Sequence, residues 1–216
     1  MPLQHSKTPL VYLITQGATT NDNFSIESKR ILDLIKAAVE AKISLVQIRE
    51  KQLNARLLFD LVCRAALITK NSETALLVND RADIALAAKA DGVHLTANSL
   101  SAKIIRQNFP ANFIVGISAH SLADVLQAKN EAADFATFSP IFSTPNKGEP
   151  QGLKKLGKVC AEAREFPIIA LGGIDETNFE SALAVGARGA AAIRSFNDVE
   201  RLSRFAGKAR EFKNSR

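Results

Sequence analysis

The chain has 216 residues, 46% hydrophobic and 23% charged, ordinary globular values that exclude disordered, collagen-like and coiled-coil classes. No unbroken apolar stretch reaches about 18 residues, so neither a membrane span nor a membrane partner is expected. The net charge is +6, and residues 194–216 carry seven Lys/Arg against three Asp/Glu; with Trp absent, a solvated terminal helix explains that excess better than a nucleic-acid site.

The basic balance favours anionic small molecules as ligands. The N-terminus shows no basic segment followed by an apolar run and a small-residue cleavage site, so no signal peptide is expected. Cys63 and Cys160 lie far apart in apolar helical stretches, which fits reduced thiols and makes the cytoplasm the expected compartment. The sequence does not fix the oligomeric state, and a homo-oligomer is compatible with it.

Short runs rich in Val, Ile and Leu predict eight strands: Leu10–Thr15, Ser44–Ile48, Ala75–Asn79, Gly92–Leu95, Phe113–Ser118, Phe135–Ser139, Pro167–Leu171 and Gly189–Ile193. Between them apolar residues recur at helical spacing, as in Ile31, Leu34, Ile35, Ala38 and Val39, in Leu57, Leu58, Leu61, Val62 and Ala65, and in Leu122, Val125 and Leu126. Each unit averages about 27 residues, close to the minimum for a strand, a helix and two short loops. Strict alternation implies a parallel sheet, because parallel neighbours need a crossover. An open doubly wound sheet is the alternative to a closed barrel. No G-x-G-x-x-G follows the first strand, and Gly172-Gly173 follows the seventh, where barrels often bind phosphate. The expected class is therefore α/β, a single (β/α)8 TIM barrel spanning residues 1–216.

In such a barrel the C-terminal strand ends form the active face, and side chains two apart share a side. Leu45, Gln47, Arg49 and Lys51 then share one face, and Val46 and Ile48 the other. Two cations at one strand end fit a phosphate clamp, with a surface ion pair to Glu50 or Asp83 as the plainer alternative. After the third strand, Asp80 either caps the next helix or holds Mg2+ with a substrate phosphate. Gly116, Ser118 and His120 fall on one side of the fifth strand, where Ser118 is either a helix cap or a site residue. The loop from Ser139 to Gly148, with Lys147 at its centre, is a candidate lid. Gly172-Gly173 leaves backbone N–H groups open to a phosphate, and the eighth helix is expected to start near Arg194-Ser195.

Taken together, Gln47-Ile48-Arg49-Glu50-Lys51, Asn79-Asp80-Arg81-Ala82-Asp83, Ala90-Asp91-Gly92-Val93-His94-Leu95, Gly116-Ile117-Ser118-Ala119-His120, Ser139-Pro140-Ile141-Phe142-Ser143-Thr144-Pro145-Asn146-Lys147, Ala170-Leu171-Gly172-Gly173-Ile174 and Gly186-Ala187-Arg188-Gly189 resemble the thiamine phosphate synthase/TenI family over roughly residues 10–196. The resemblance implies condensation of 4-amino-2-methyl-5-hydroxymethylpyrimidine diphosphate with a thiazole phosphate, releasing pyrophosphate. It assigns Gln47, Arg49, Lys51 and Asn79 to the pyrimidine diphosphate and Asp80 to Mg2+, and it puts Ser118 at the reaction centre. Thr144, Asn146 and Lys147 fall between the substrates, Lys147 assisting pyrophosphate departure, while Gly173, Ile193 and Arg194 seat the thiazole phosphate.

Three positions depart from the family pattern. Ser99 stands at the second magnesium carboxylate, Asn146 where Thr is usual, and Arg194 where Ser is usual. The segment around Ser99 is closer to the TenI branch, some of whose members isomerise a thiazole carboxylate phosphate without metal, with His120 matching their acid/base residue. A metal-free tautomerase is thus the alternative expectation, and a non-catalytic ligand binder of the same pathway the third.

Overall fold

The computed structural model describes residues 8–145 and 147–212. Among them eight strands alternate with eight helices: β1 (Leu10–Ile14), α1 (Phe24–Glu40), β2 (Leu45–Ile48), α2 (Ala55–Thr69), β3 (Ala75–Asn79), α3 (Ala82–Ala87), β4 (Gly92–Leu95), α4 (Ala102–Asn108), β5 (Ile114–Ala119), α5 (Leu122–Asn130), β6 (Phe135–Phe138), α6 (Gly152–Ala163), β7 (Ile168–Leu171), α7 (Phe179–Ala184), β8 (Gly189–Ala192) and α8 (Val199–Glu211). Every strand pairs in parallel with its sequence neighbour, and β8 pairs with β1, which closes a TIM barrel. Each expected strand is present, its bounds within one residue of those read from the sequence.

The two faces of each strand are buried for different reasons. Tyr12, Leu45, Leu77 and Phe135 point into the lumen, whereas Val11, Leu13, Val46 and Ile48 pack outward against the helices. Cover on both sides explains why β1 reads as the uninterrupted run Leu-Val-Tyr-Leu-Ile. Burying each Leu or Ile contributes about 1.5–3 kcal/mol. Ile31, Ile35 and Ala38 of α1 and Leu61, Val62 and Ala65 of α2 supply the facing stripes at the expected spacing.

Three local expectations are corrected. Ser118 does not cap the helix after β5: Ser121 does, in a capping box with Asp124. Asp80 does not cap α3 either, since Arg81 holds that position without a side-chain cap and the Asp80 carboxylate turns elsewhere. The eighth helix begins at Val199 with Asp198 as its cap, so Arg194 and Ser195 lie in a turn before it and are not its first residues. Cys63 and Cys160 form no disulfide with each other, and no helix among the described residues is long and apolar enough to cross a membrane.

Candidate active site

At the C-terminal end of the barrel, Asp80 adopts φ +59, a left-handed conformation that Asp tolerates better than most residues, and its backbone N–H is held by the His94 carbonyl at 2.9 Å. One carboxylate oxygen, Oδ1, accepts from the Thr96 N–H at 3.2 Å, the Thr96 hydroxyl at 3.0 Å and the Ser99 hydroxyl. The other, Oδ2, accepts from Asn79 Nδ2 at 2.7 Å. Burial pushes the Asp80 pKa up, but the hydrogen bonds from Ser99, Thr96 and Asn79 and the nearby Lys51 charge outweigh it, and the net direction is down. Ser99 is thus a donor to Asp80, in the place where the family pattern has a second carboxylate.

From Asn79 a buried polar chain crosses the lumen. Gln47 Nε2 donates to Asn79 Oδ1 at 3.0 Å, the Tyr12 hydroxyl donates to Gln47 Oε1 at 2.9 Å, and it lies 3.1 Å from His94 Nδ1. On the far side His94 Nε2 is 3.0 Å from the Ser118 hydroxyl. Complete burial lowers the His94 pKa to about 4 and raises that of Tyr12. Sequence reasoning missed Tyr12, Thr96 and the role of His94. Part of that signal was available, because Gln47, Asn79, His94 and Ser118 sit near the C-terminal ends of their strands, while Tyr12 faces the lumen from the middle of β1.

On the other side of the mouth, Arg49, Thr144, Lys147, Gly173, Ile193 and Arg194 line one cavity of about 850 Å3, which Arg201 and the carboxylate of Asp175 also border. Arg49 lies over Gly17, and its backbone N–H is held by the Thr15 hydroxyl at 2.8 Å. The glycine pair has a further reason beyond access to a phosphate. Gly172 and Gly173 have φ +97 and +65, and a Cβ on either would stand 2.7 Å from the Pro140 Cα or the Ser143 carbonyl, so the loop after β6 seats directly on them. That seating is fixed by Ile141 N–H to Leu171 O at 2.9 Å and Phe142 N–H to Gly172 O at 3.0 Å. Asn146 lies outside the described residues.

Lys51 is separated from Arg49. It lines an adjacent cleft with Asn79, Asp80 and Arg81. The expectation that Arg49 and Lys51 share a face fails because β2 ends at Ile48, and residue alternation holds only within a strand. The ion-pair alternative also fails among the described residues. Glu50 accepts from the Gly17 and Thr19 N–H groups, and Asp83 pairs with Arg81 at 2.6 Å. His120 stands apart at the surface, its Nδ1 donating to the Ser139 carbonyl at 2.9 Å, which leaves Nε2 as an acceptor.

Among the described residues no group of three or more His, Cys, Asp or Glu is arranged to hold a metal. Mg2+ commonly uses one or two carboxylates together with substrate phosphates. Oδ1 of Asp80 is taken by three donors, while Oδ2 receives one and retains acceptor capacity. The donor set therefore fits a magnesium ion that arrives with a diphosphate, and does not fit one held by the protein alone.

Comparison with known proteins converges on one family. Residues 11–196 match the family model described as thiamine monophosphate synthase. A protein of Geobacter sulfurreducens is 39% identical over 186 residues, 85% of this chain and 84% of its own length. The thiamine-phosphate synthase of Enterococcus faecalis is 31% identical over 194 residues, 89% of each chain. Among solved structures, a thiamine phosphate pyrophosphorylase from Pyrococcus furiosus superposes with a TM-score of 0.76 at 25% identity, covering 94% of this chain and 98% of that one. The chain belongs to the thiamine monophosphate synthase family.

Proposed function

We propose that this chain is a thiamine-phosphate synthase that joins 4-amino-2-methyl-5-hydroxymethylpyrimidine diphosphate to a thiazole phosphate. The observation that carries the reading is the cavity of about 850 Å3 in which Arg49, Lys147 and Arg194 converge with Gly173, next to the cleft holding Lys51 and Asp80. None of these four cations is in an ion pair among the described residues. Arg49, Lys147, Arg194 and Arg201 line the cavity against one carboxylate, that of Asp175, among the described residues, an excess of positive charge that favours binding of an anionic ligand.

In the reaction, the C–O bond between the pyrimidine methylene and the diphosphate breaks, and its electron pair leaves with pyrophosphate. The thiazole nitrogen lone pair then forms the new C–N bond. Arg49, Lys51 and Lys147 neutralise the departing pyrophosphate, and preorganised charges of this kind act without reorganising during the reaction. Gln47 and Asn79 orient the pyrimidine, and Ser118 lines the reaction centre. Thr144 lies between the substrates, as does Asn146 by its place in the sequence. Gly173 and the backbone at Ile193-Arg194 seat the thiazole phosphate. Asp80 would hold Mg2+ through Oδ2, and the ion would supply further charge neutralisation on the diphosphate.

The test is to incubate purified protein with both substrates and Mg2+ and follow pyrophosphate and thiamine phosphate. Stoichiometric formation of both is expected; neither product under varied conditions overturns the reading. One observation favours a second reading. The commitment of His120 Nδ1 to Ser139 leaves Nε2 able to accept a proton, as a thiazole tautomerase would need. Tautomerisation that resists EDTA and is lost in His120→Ala would establish it, and its absence in the wild-type protein would remove it.

A further inference from the structure

The polar chain between Asp80 and Ser118 has one consistent direction. An ionised carboxylate only accepts, so its contact with Asn79 fixes the Asn79 amide nitrogen toward Asp80 and turns Asn79 Oδ1 toward Gln47. Gln47 must then offer Nε2 to Asn79 and Oε1 to Tyr12. Tyr12 has a single hydroxyl proton, which goes to Gln47. At 3.1 Å from His94 Nδ1 its oxygen therefore accepts, which requires a proton on Nδ1.

The His94 ring is 3% exposed, and both its nitrogens meet hydroxyls rather than carboxylates. A buried imidazole with no anion on either nitrogen is neutral. With its proton on Nδ1, Nε2 presents a lone pair, and the Ser118 hydroxyl 3.0 Å away is the donor. The rings cannot turn aside. Tyr12, His94 and Phe135 pack with centroids 5.6–5.8 Å apart, and Gly116 leaves the space they use, since a Cβ there would stand 2.7 Å from His94 Nδ1 and 2.4 Å from Phe135 Cζ.

We propose that Tyr12 and His94 are positioning residues that carry the polarity set by the Asp80 carboxylate across the lumen, committing the Ser118 proton inward so that Ser118 meets substrate with oxygen lone pairs only. The group opposite Ser118 is then a hydrogen-bond donor or a carbon gaining positive charge. An acceptor there would face oxygen with oxygen. The polarity stands on the hydrogen bonds alone, whereas its catalytic use rests on the synthase reading above: lone pairs suit an amino-pyrimidine whose methylene becomes cationic.

The first experiment needs no substrate. Protein labelled with 15N-histidine is examined by long-range 15N–1H correlation, and the His94 signals are assigned by their absence in His94→Gln. The expected pattern is a protonated Nδ1 and an unprotonated Nε2. The opposite tautomer, or an averaged pair, overturns the proposal. The second compares kinetics. Tyr12→Phe is expected to lower kcat about tenfold while leaving KM for the pyrimidine diphosphate within about twofold, because a lost hydrogen bond to a neutral group costs a factor of this order. His94→Gln offers an amide donor and acceptor in the same place and should retain more activity than His94→Leu. If Leu serves as well as Gln, the ring only fills space and the positioning role falls. Should the wild-type protein form no thiamine phosphate, the synthase reading fails while the tautomer measurement still decides the polarity.

Discussion

The two ends of the barrel treat charge in opposite ways. At the N-terminal end, carboxylates act as splints: Asp134 Oδ2 accepts the Val115 N–H at 2.7 Å and pairs with Arg106 at 2.6 Å, and Asp91 Oδ2 accepts the Leu76 N–H at 2.7 Å. Arg106 also donates to the Ala132 and Phe113 carbonyls, so this guanidinium ties together the connections that lead into β5 and β6. At the C-terminal end, Arg49, Lys51, Lys147 and Arg194 are in no ion pair among the described residues and border open cavities. Charges at the first end stabilise the fold; those at the second await an anion. The exceptions at the C-terminal end are Asp80, satisfied by four donors yet placed beside Lys51, Glu50, whose carboxylate accepts from the Gly17 and Thr19 N–H groups, and the exposed Arg81–Asp83 pair.

If that contrast is right, activity and stability come apart by position. The largest effect is expected for Lys147→Ala: kcat for thiamine phosphate formation falls about 10²–10³-fold, as when one preorganised charge-stabilising group is removed. The melting temperature should stay put, because the exposed Lys147 side chain makes no ion pair among the described residues. A drop in stability with kcat unchanged would reverse the assignment of that end. For Asp134→Ala the reverse is expected, with stability falling by about 2–4 kcal/mol in denaturant titration as a buried strand N–H and the Arg106 guanidinium lose their acceptor. The kcat of the folded fraction should be unchanged. Smaller again is Ser99→Asp, which adds a second carboxylate beside Asp80. The Mg2+ concentration for half-maximal activity should fall about tenfold, while stability without Mg2+ drops by about 1 kcal/mol from like-charge repulsion. No change in metal dependence would mean that Mg2+ does not bind at Asp80.

The architecture was legible because strands covered on both faces read as short apolar runs, and because each run is followed by a stripe at helical spacing, as Leu45–Ile48 is by Leu58, Leu61, Val62 and Ala65. Arg49, Lys147, Gly173 and Arg194 were legible as one group, since loops after different strands meet at the same end of a barrel. What was not legible depends on where a strand stops and on distances across the lumen. Lys51 parts from Arg49 because the strand ends at Ile48. Tyr12 and His94, 82 residues apart, meet only through the register that sets β1 against β4 across a closed sheet. The helix after β8 was placed too early because Arg194 to Phe196 form a turn, and the residue with capping geometry is Asp198. Ser99 shows the limit most clearly: the sequence marks the absence of a carboxylate, but only the folded geometry shows the hydroxyl donating to the carboxylate that remains.

That donation gives the smallest of the expected effects and the one with the most distinctive signature. The hydrogen bonds to Asp80 stabilise its charged form and hold its pKa below the ordinary carboxylate value in the folded protein. A group depressed in this way contributes stability that is present above its unfolded pKa, about 3.9 for Asp, and is lost as pH falls through the lower folded value. Ser99→Ala removes one donor, so the folded pKa of Asp80 rises toward the unfolded one and that contribution shrinks. The variant should therefore be less stable than wild type at pH 7; the gap should begin to narrow as pH falls below about 4, where the variant's carboxylate takes up its proton, and close only once pH passes the depressed wild-type value. Stability curves measured by urea titration between neutral and acid pH would show this convergence. A gap that persists undiminished at the acid end would mean that Ser99 contributes by packing alone, and that the charge on Asp80 owes nothing to it.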